Sequence, residues 1–116
     1  MRYQKNRDIL FKDKNGNMYY IQTLSLKDQR MRNLTIYNFD SSGQKLKSKT
    51  YAKSVTWIEN TWTLKDGWHR VIEDGKEKSF SKFDVKIIHV DEDPKLLAES
   101  DLYPSEMTYL ALARLV

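Results

Sequence analysis

The stretch from Phe80 to Val90 reads FSKFDVKIIHV and carries the clearest secondary-structure signal in the chain. Apolar Phe83, Val85 and Ile87 alternate with charged residues at positions 82, 84 and 86. Successive side chains of a β-strand point to opposite faces of the sheet. The alternation therefore predicts a strand with these three apolar side chains on one face.

Comparable short runs of β-branched, aromatic and aliphatic residues precede this stretch. They are Arg7–Lys12, Met18–Leu26, Asn33–Phe39, Lys45–Trp57, Thr61–Leu64 and Trp68–Ile72. Gly, Asn, Asp and Ser between the runs predict turns. The predicted turns are Asp13–Asn17, Asp40–Gln44, Glu59–Asn60, Lys65–Gly67 and Glu73–Lys76. About seven strands without intervening helices predict an all-β antiparallel sandwich, jellyroll or barrel.

The end of the chain departs from this pattern. Asp91–Pro94 interrupts the alternation, and Ser105 suits a helix N-cap with Glu106 in the first turn. The helix-compatible residues that follow reach Val116 without a stop signal, so we expect the protein to continue beyond it. The predicted organisation is a β domain over residues 1–90, followed by a loop and short helix over 91–116 that lead towards a transmembrane span.

Composition narrows the possible functions. The 116 residues suit one domain, and the absence of Cys excludes disulfides and thiolate chemistry. No run approaches the roughly 20 apolar residues of a membrane span, and no signal peptide opens the sequence. Residues 1–53 contain 12 Lys/Arg against 4 Asp/Glu, and residues 54–116 contain 8 against 12. A basic half can meet nucleic acid, anionic lipid or an acidic partner, but its alternation with apolar residues favours a solvated face.

Catalytic and metal-binding patterns find no support in the sequence. His69 and His89 have no partner at metal-ligand spacing, which favours half-buried strand histidines. The carboxylates of Asp91–Asp93 sit beside a proline and favour a solvated turn. Neither a Gly-rich phosphate loop nor a nucleophile elbow occurs. We therefore expect no enzyme activity, no cofactor, no metal and no nucleic-acid partner.

Three tryptophans, Trp57, Trp62 and Trp68, lie within twelve residues. They suit either a core that packs around a tight hairpin or an exposed platform that stacks sugar rings or bases. The first interpretation is favoured. The second, with Trp62 and Trp68 exposed, would make the chain a stand-alone β-sandwich binding module for carbohydrate or another polar ligand.

Three consecutive motifs indicate a family. Asn33–Asp40 reads NLTIYNFD and is followed by Gly43 and Leu46; Tyr51–Trp57 reads YAKSVTW, and Trp62–Gly67 reads WTLKDG. In this order they resemble the Ile-Tyr-x-Phe-Asp-x-x-Gly, Tyr-Ala-x-x-Ala-x-Trp and Trp-x-Leu-x-x-Gly patterns in the periplasmic domain of the lipopolysaccharide-export permeases LptF and LptG.

The resemblance extends over roughly residues 7–116. Tyr103–Leu110 is similar to the family segment that re-enters the membrane. Two positions depart from the pattern: Val55 stands where Ala is commoner, and Ala111 stands at or near an acidic position.

The resemblance implies an open β-jellyroll with a short C-terminal helical segment, inserted between the third and fourth of six transmembrane helices. It implies a periplasmic domain of an inner-membrane protein in a Gram-negative bacterium. The implied partners are lipopolysaccharide, a paired permease subunit, a cytoplasmic ATPase dimer that hydrolyses the ATP, and a jellyroll bridge protein like LptC or LptA. The motifs do not separate an F-like from a G-like subunit.

Strand alternation selects the side chains that would face inward. In a jellyroll whose sheets splay, they would line an apolar groove for acyl chains, with about 0.8 kcal/mol for each buried methylene. The expected groove residues are Ile9, Phe11, Ile21, Leu34, Ile36, Val55, Trp57, Leu64, Val71, Phe83, Val85 and Ile87. Basic residues near a mouth would attract lipid phosphates, with Lys45, Lys47, Lys49 and Lys53 as candidates.

Overall fold

The computed structural model describes residues 6–94. They form β1 (Arg7–Lys12), β2 (Met18–Ser25), β3 (Arg30–Phe39), β4 (Leu46–Ile58), β5 (Thr61–Glu73) and β6 (Lys76–His89). All strands are antiparallel and belong to one sheet with the order β1-β2-β3-β4-β5-β6. The predicted all-β fold is confirmed, while the predicted C-terminal helix lies outside the described residues.

The predicted hairpin turns occur where local chemistry favours them. In the β1–β2 loop, the Asp13 carboxylate accepts hydrogen bonds from the backbone N–H groups of Asn15 and Asn17 at 2.9 and 3.0 Å. In the β5–β6 turn, Asp74 and Gly75 adopt φ values of 54° and 77°. Asp and Gly tolerate this left-handed conformation, which tight two-residue hairpins require.

The predicted turn at Lys65–Gly67 is wrong, because β5 continues through it. Lys65 pairs with Ser54 and Gly67 with Ala52 in the same ladder. The predicted strands on either side are therefore one strand, and the sheet has six strands among the described residues. Asp66 does adopt a left-handed φ of 56°, but the pairing with β4 and β6 confines the distortion to one residue.

Asp66 belongs to a line of residues that crosses the whole sheet, which we call the crease. In each ladder the residues on either side of this line are paired, while the residues on the line are not. The members of the crease are Asp8, Gln22, Asn33, Lys53, Asp66 and Asp84. In β1, β3 and β5 the crease residues Asp8, Asn33 and Asp66 have φ values of 51°, 56° and 56°. One bulge-like irregularity is thus repeated in register across all six strands.

The crease reverses side-chain alternation. On one side of it, the adjacent ladder partners face inward and form the inner row: Ile9, Ile21, Leu34, Ala52, Gly67 and Phe83. On the other side, the adjacent partners, which include Arg32, Lys65 and Val85, face outward. Buried positions therefore step by three across the crease, as with Ile21 and Leu24. The step keeps both halves of each strand facing the same core.

The sheet curls so that distant strands meet. The ring of Tyr19 in β2 packs edge-on against Trp62 in β5, with centroids 6.0 Å apart. Beyond β6, Asp91 forms a salt bridge of 3.3 Å with Lys14 of the first hairpin. β1 and β6 remain the two edges of the sheet, because neither pairs with the other within residues 6–94.

Candidate functional site

Most of the expected groove residues come together inside the curled sheet. Seven of them belong to one buried cluster: Ile9, Ile21, Leu34, Ile36, Val55, Trp57 and Leu64. Phe11 and Phe83 are half-buried and pack against this cluster. Val71 is half-buried on β5. Ten of the twelve expected residues therefore lie on or beside the inner face.

The expected inward orientation of Val85 and Ile87 is wrong. Their side chains are 56% and 66% exposed. Residues that pair directly across an antiparallel ladder share a face, and the partners of buried Leu64 and Trp62 are Lys86 and Ile88. The alternation in FSKFDVKIIHV changes phase at Asp84 in the crease, so Phe83 faces inward and Val85 outward.

One half of the interior is filled by aromatic rings. Phe11 stacks on Tyr19 at 4.6 Å, and Tyr19 packs against Trp62, which is fully buried. Trp57 is also buried, so the core interpretation of these two tryptophans is confirmed and an exposed platform that contains Trp62 is wrong. Burial, followed by the charge of Asp13 and the hydrogen bond that its carboxylate accepts from the Tyr19 hydroxyl, raises the pKa of Tyr19 above its usual value.

The other half of the inner face opens towards the β5–β6 turn. Two inward rows of ladder partners run from β4 to β6 on this side, Thr50–His69–Ser81 and Ser48–Val71–Ser79. Exposure rises along each row, because Thr50 is buried, His69 and Val71 are half-buried, and both β6 serines are exposed. The inner face is therefore accessible along β6, beside the half-buried ring of Phe83.

A polar cluster lies on this accessible part of the inner face. Thr50 Oγ1 and His69 Nδ1 share a hydrogen bond of 2.8 Å. Burial, followed by the positive charge of Lys86, lowers the pKa of His69. The Lys86 ammonium lies 5.9 Å from the Phe83 ring centroid. A cation beside an apolar surface is suited to a ligand that is both anionic and lipidic.

Sequence reasoning missed Lys86 as a member of this surface, whereas the half-buried strand position expected for His69 is confirmed. The adjacent pair Ile87-Ile88 was the available signal, because two neighbouring apolar residues leave the phase of the strand open. Only the register of the β5–β6 ladder decides which of the two isoleucines faces inward.

The four candidate mouth lysines do not gather at one place. Lys45 and Lys47 line a surface depression at the end of the sheet, together with Leu46 and Ile72. Lys53 lies exposed in the crease. Lys49 faces outward, where its ammonium lies 5.3 Å from the Tyr37 ring centroid.

Residues 6–94 contain no cluster of His, Cys, Asp or Glu that could hold a metal ion. They also contain no helix that is long and apolar enough to cross a membrane. The half-buried position expected for His89 is wrong, because its side chain is 69% exposed and its Nε2 lies 3.5 Å from the Asp91 carboxylate.

Residues 3–116 match the sequence model of the family described as lipopolysaccharide export system permease LptF/LptG. The chain belongs to the LptF/LptG family. A comparison with curated proteins finds no match. The family match confirms the family predicted from the three sequence motifs. LptF/LptG proteins are inner-membrane permeases and transport components rather than catalysts. The all-β fold agrees with the fold that the sequence resemblance implied.

Proposed function

We propose that this chain is the periplasmic jellyroll of an LptF/LptG permease, and that its inner face receives the acyl chains of lipopolysaccharide. The observation that supports the groove is the inner row, which is apolar across six strands and ends at the half-buried ring of Phe83. Phe83 lies on the edge strand β6, and part of its ring stays exposed there. Here the row is tightly packed at β1–β4 and open at the β6 edge.

The groove in this proposal is shorter than the twelve expected residues suggested. Val71 and Phe83 provide the accessible apolar surface. Ile21, Leu34 and Val55 are fully buried and belong to the packed core. Burial of each acyl methylene contributes about 0.8 kcal/mol, so a few methylenes on two side chains give a transient contact. A conduit that passes lipid onward requires such weak contacts.

Handover to a second jellyroll is the further part of the proposal. β6 is fourteen residues long and forms an edge of the sheet. An unblocked edge strand can pair with a strand of a partner, which here would be the bridge protein of the LptC/LptA type or the paired permease subunit. ATP hydrolysis belongs in this scheme to a separate cytoplasmic ATPase dimer.

Site-specific photo-crosslinking in the full-length permease, in cells, tests the groove. A photoreactive phenylalanine at Phe83 faces the inner surface, and the same probe at Val85, two residues along β6, faces outward. We expect lipopolysaccharide adducts at Phe83 that depend on ATP hydrolysis and a much weaker signal at Val85. Equal adducts at both positions, or none at Phe83, Val71 and His69, would contradict the groove.

A further inference from the structure

The outward face of β4, β5 and β6 carries an aromatic surface that the proposed groove does not use. Tyr51 stacks on Trp68 with centroids 5.6 Å apart, and Trp68 packs against Phe80 at 6.1 Å. Phe80 is 42% exposed, and the other two rings are half-buried. Outward faces of antiparallel sheets usually carry polar side chains, so a ladder of three rings is unusual there.

Two cations lie over this ring ladder. The Arg70 guanidinium carbon is 4.6 Å from the Trp68 centroid and 5.1 Å from that of Phe80. The Lys49 ammonium approaches the same indole at 5.9 Å and also lies over Tyr37. Lys82 pairs with Trp68 across the ladder and so projects from the same face. Cation–π contacts hold the two charges close to each other.

The positive charge of this surface is only partly neutralised. Glu77 lies 3.4 Å from Arg70 Nε, but no carboxylate among the described residues lies within salt-bridge distance of Lys49. Burial, followed by the charge of Arg70, lowers the pKa of Lys49. A bound anion between Lys49 and Arg70 would relieve this repulsion.

We propose that Tyr51, Trp68 and Phe80, with Lys49 and Arg70, form a binding site for a phosphorylated saccharide. The sugar ring would lie against the exposed ring of Phe80, beside the edge of the Trp68 indole, and its phosphate would bridge the ammonium and the guanidinium. Flat rings provide stacking area, and Arg is suited to bidentate phosphate contact. The site lies on the opposite face of the sheet from the acyl-chain groove, so the proposal does not depend on that function.

The indole N–H resonances of the 116-residue chain provide the test, because Trp57 and Trp62 are buried and Trp68 is half-exposed. Glucosamine 1-phosphate is titrated to millimolar concentrations, with glucosamine and inorganic phosphate as separate titrations. We expect the Trp68 signal to shift in a saturable manner and the Trp57 and Trp62 signals to stay in place. The phosphosugar should bind about tenfold more tightly than either fragment.

Variants localise the site. Lys49→Gln and Arg70→Gln should each weaken binding about tenfold. Lys65→Gln removes an exposed cation from the outward face of β5 on the other side of the crease and should leave binding unchanged. Phe80→Leu removes one ring of the ladder while it keeps the Trp68 reporter, and it should also weaken binding, with a circular dichroism spectrum to confirm the fold.

Three results would overturn the proposal. The first is the absence of a Trp68 shift with the phosphosugar. The second is equal affinity for inorganic phosphate, which would show an anion site that does not recognise sugar. The third is a response to anionic phospholipid vesicles alone, which would assign the surface to a membrane. Failure in any of these ways leaves the crosslinking result at Phe83 unaffected, so the two proposals are tested separately.

Discussion

Gly67 of β5 lies against the backbone carbonyl of Tyr51 in β4, so closely that the site has no room for a side chain. A Cβ atom at position 67 would lie 2.9 Å from the Tyr51 carbonyl carbon, closer still to its oxygen, and 2.6 Å from the Phe83 ring. Gly67 is also the member of the inner row that immediately follows the crease residue Asp66. The close approach of two strands at the crease therefore depends on this glycine.

Gly67→Ala should destabilise the domain by about 3 kcal/mol, because a backbone carbonyl cannot move aside as a side chain can. The free energy of unfolding from urea titration measures the effect. Gly43→Ala is the matched control: its Cβ would meet open space, and its φ of 75° adds only left-handed strain of about 1 kcal/mol. Equal effects of the two substitutions would contradict the close packing at Gly67.

Ile87 and Ile88 test the phase of β6, because they are neighbours of the same type on opposite faces. Ile88→Ala should lower the free energy of unfolding by about 2 kcal/mol, since Ile88 packs against the core. Ile87→Ala should change it by less than about 0.5 kcal/mol, since Ile87 is exposed. A larger loss of stability for Ile87→Ala than for Ile88→Ala in urea unfolding would contradict this orientation and support the one expected from sequence.

Asn33 tests the conformation of the crease. It has a φ of 56°, hydrogen-bonds to Gln22 and accepts a hydrogen bond of 2.6 Å from the Tyr51 hydroxyl. Asn33→Ala and Asn33→Gly lose the same side-chain contacts, but only Ala meets the left-handed steric penalty. We expect Ala to be less stable than Gly by about 1 kcal/mol in thermal or urea unfolding. An Ala variant as stable as the Gly variant would argue against a left-handed residue here.

His69 should make stability depend on acid pH. Its folded-state pKa is lowered from the usual 6.5, first by burial and then by Lys86. The unfolded chain therefore binds the proton more readily, so stability is complete above about pH 6.5 and falls as the pH drops below it. Lys86→Gln should weaken this dependence in urea midpoints measured at several pH values. Lys82→Gln, on the outward face of β6, should leave it unchanged.

Tyr19 should make stability depend on alkaline pH. Burial and Asp13 raise its pKa above the usual 10.0. The unfolded chain ionises first, so stability is present below about pH 10 and is lost as the pH rises above it. Tyr19→Phe should reduce the slope of stability against pH in this range, as measured by urea midpoints. An unchanged slope would show that Tyr19 ionises normally in the folded protein.

Much of the fold could be predicted from local signals. β1 has the predicted bounds Arg7–Lys12, and the turns at Asp40–Gln44 and Glu73–Lys76 lie where Gly and Asp predicted them. The family followed from the order of three motifs around Tyr37, Trp57 and Trp62. These features depend on neighbouring residues, which is why one sequence was sufficient.

The candidate site was predictable only in part. Ile9, Leu34 and Val55 were found because each alternates with a second inward apolar residue on the same side of the crease. Lys86 was missed and Val85 was misplaced, because the sequence inference assumed that inward and outward side chains keep alternating without a break at Asp84. The cations over Trp68 were missed for another reason: Lys49, Arg70 and Phe80 come from three strands and meet only when those strands are paired.

The sequence by itself determined that the chain is all-β, where most of its hairpins turn, and to which family it belongs. The tertiary structure decided whether Asp66-Gly67 ends a strand or bends one, since a left-handed Asp before Gly suits both outcomes locally. Pairing with Ser54 and Ala52 on β4 and with Val85 and Phe83 on β6 keeps β5 continuous. The same pairing repeats the crease in every strand and so selects which face of each strand meets the core.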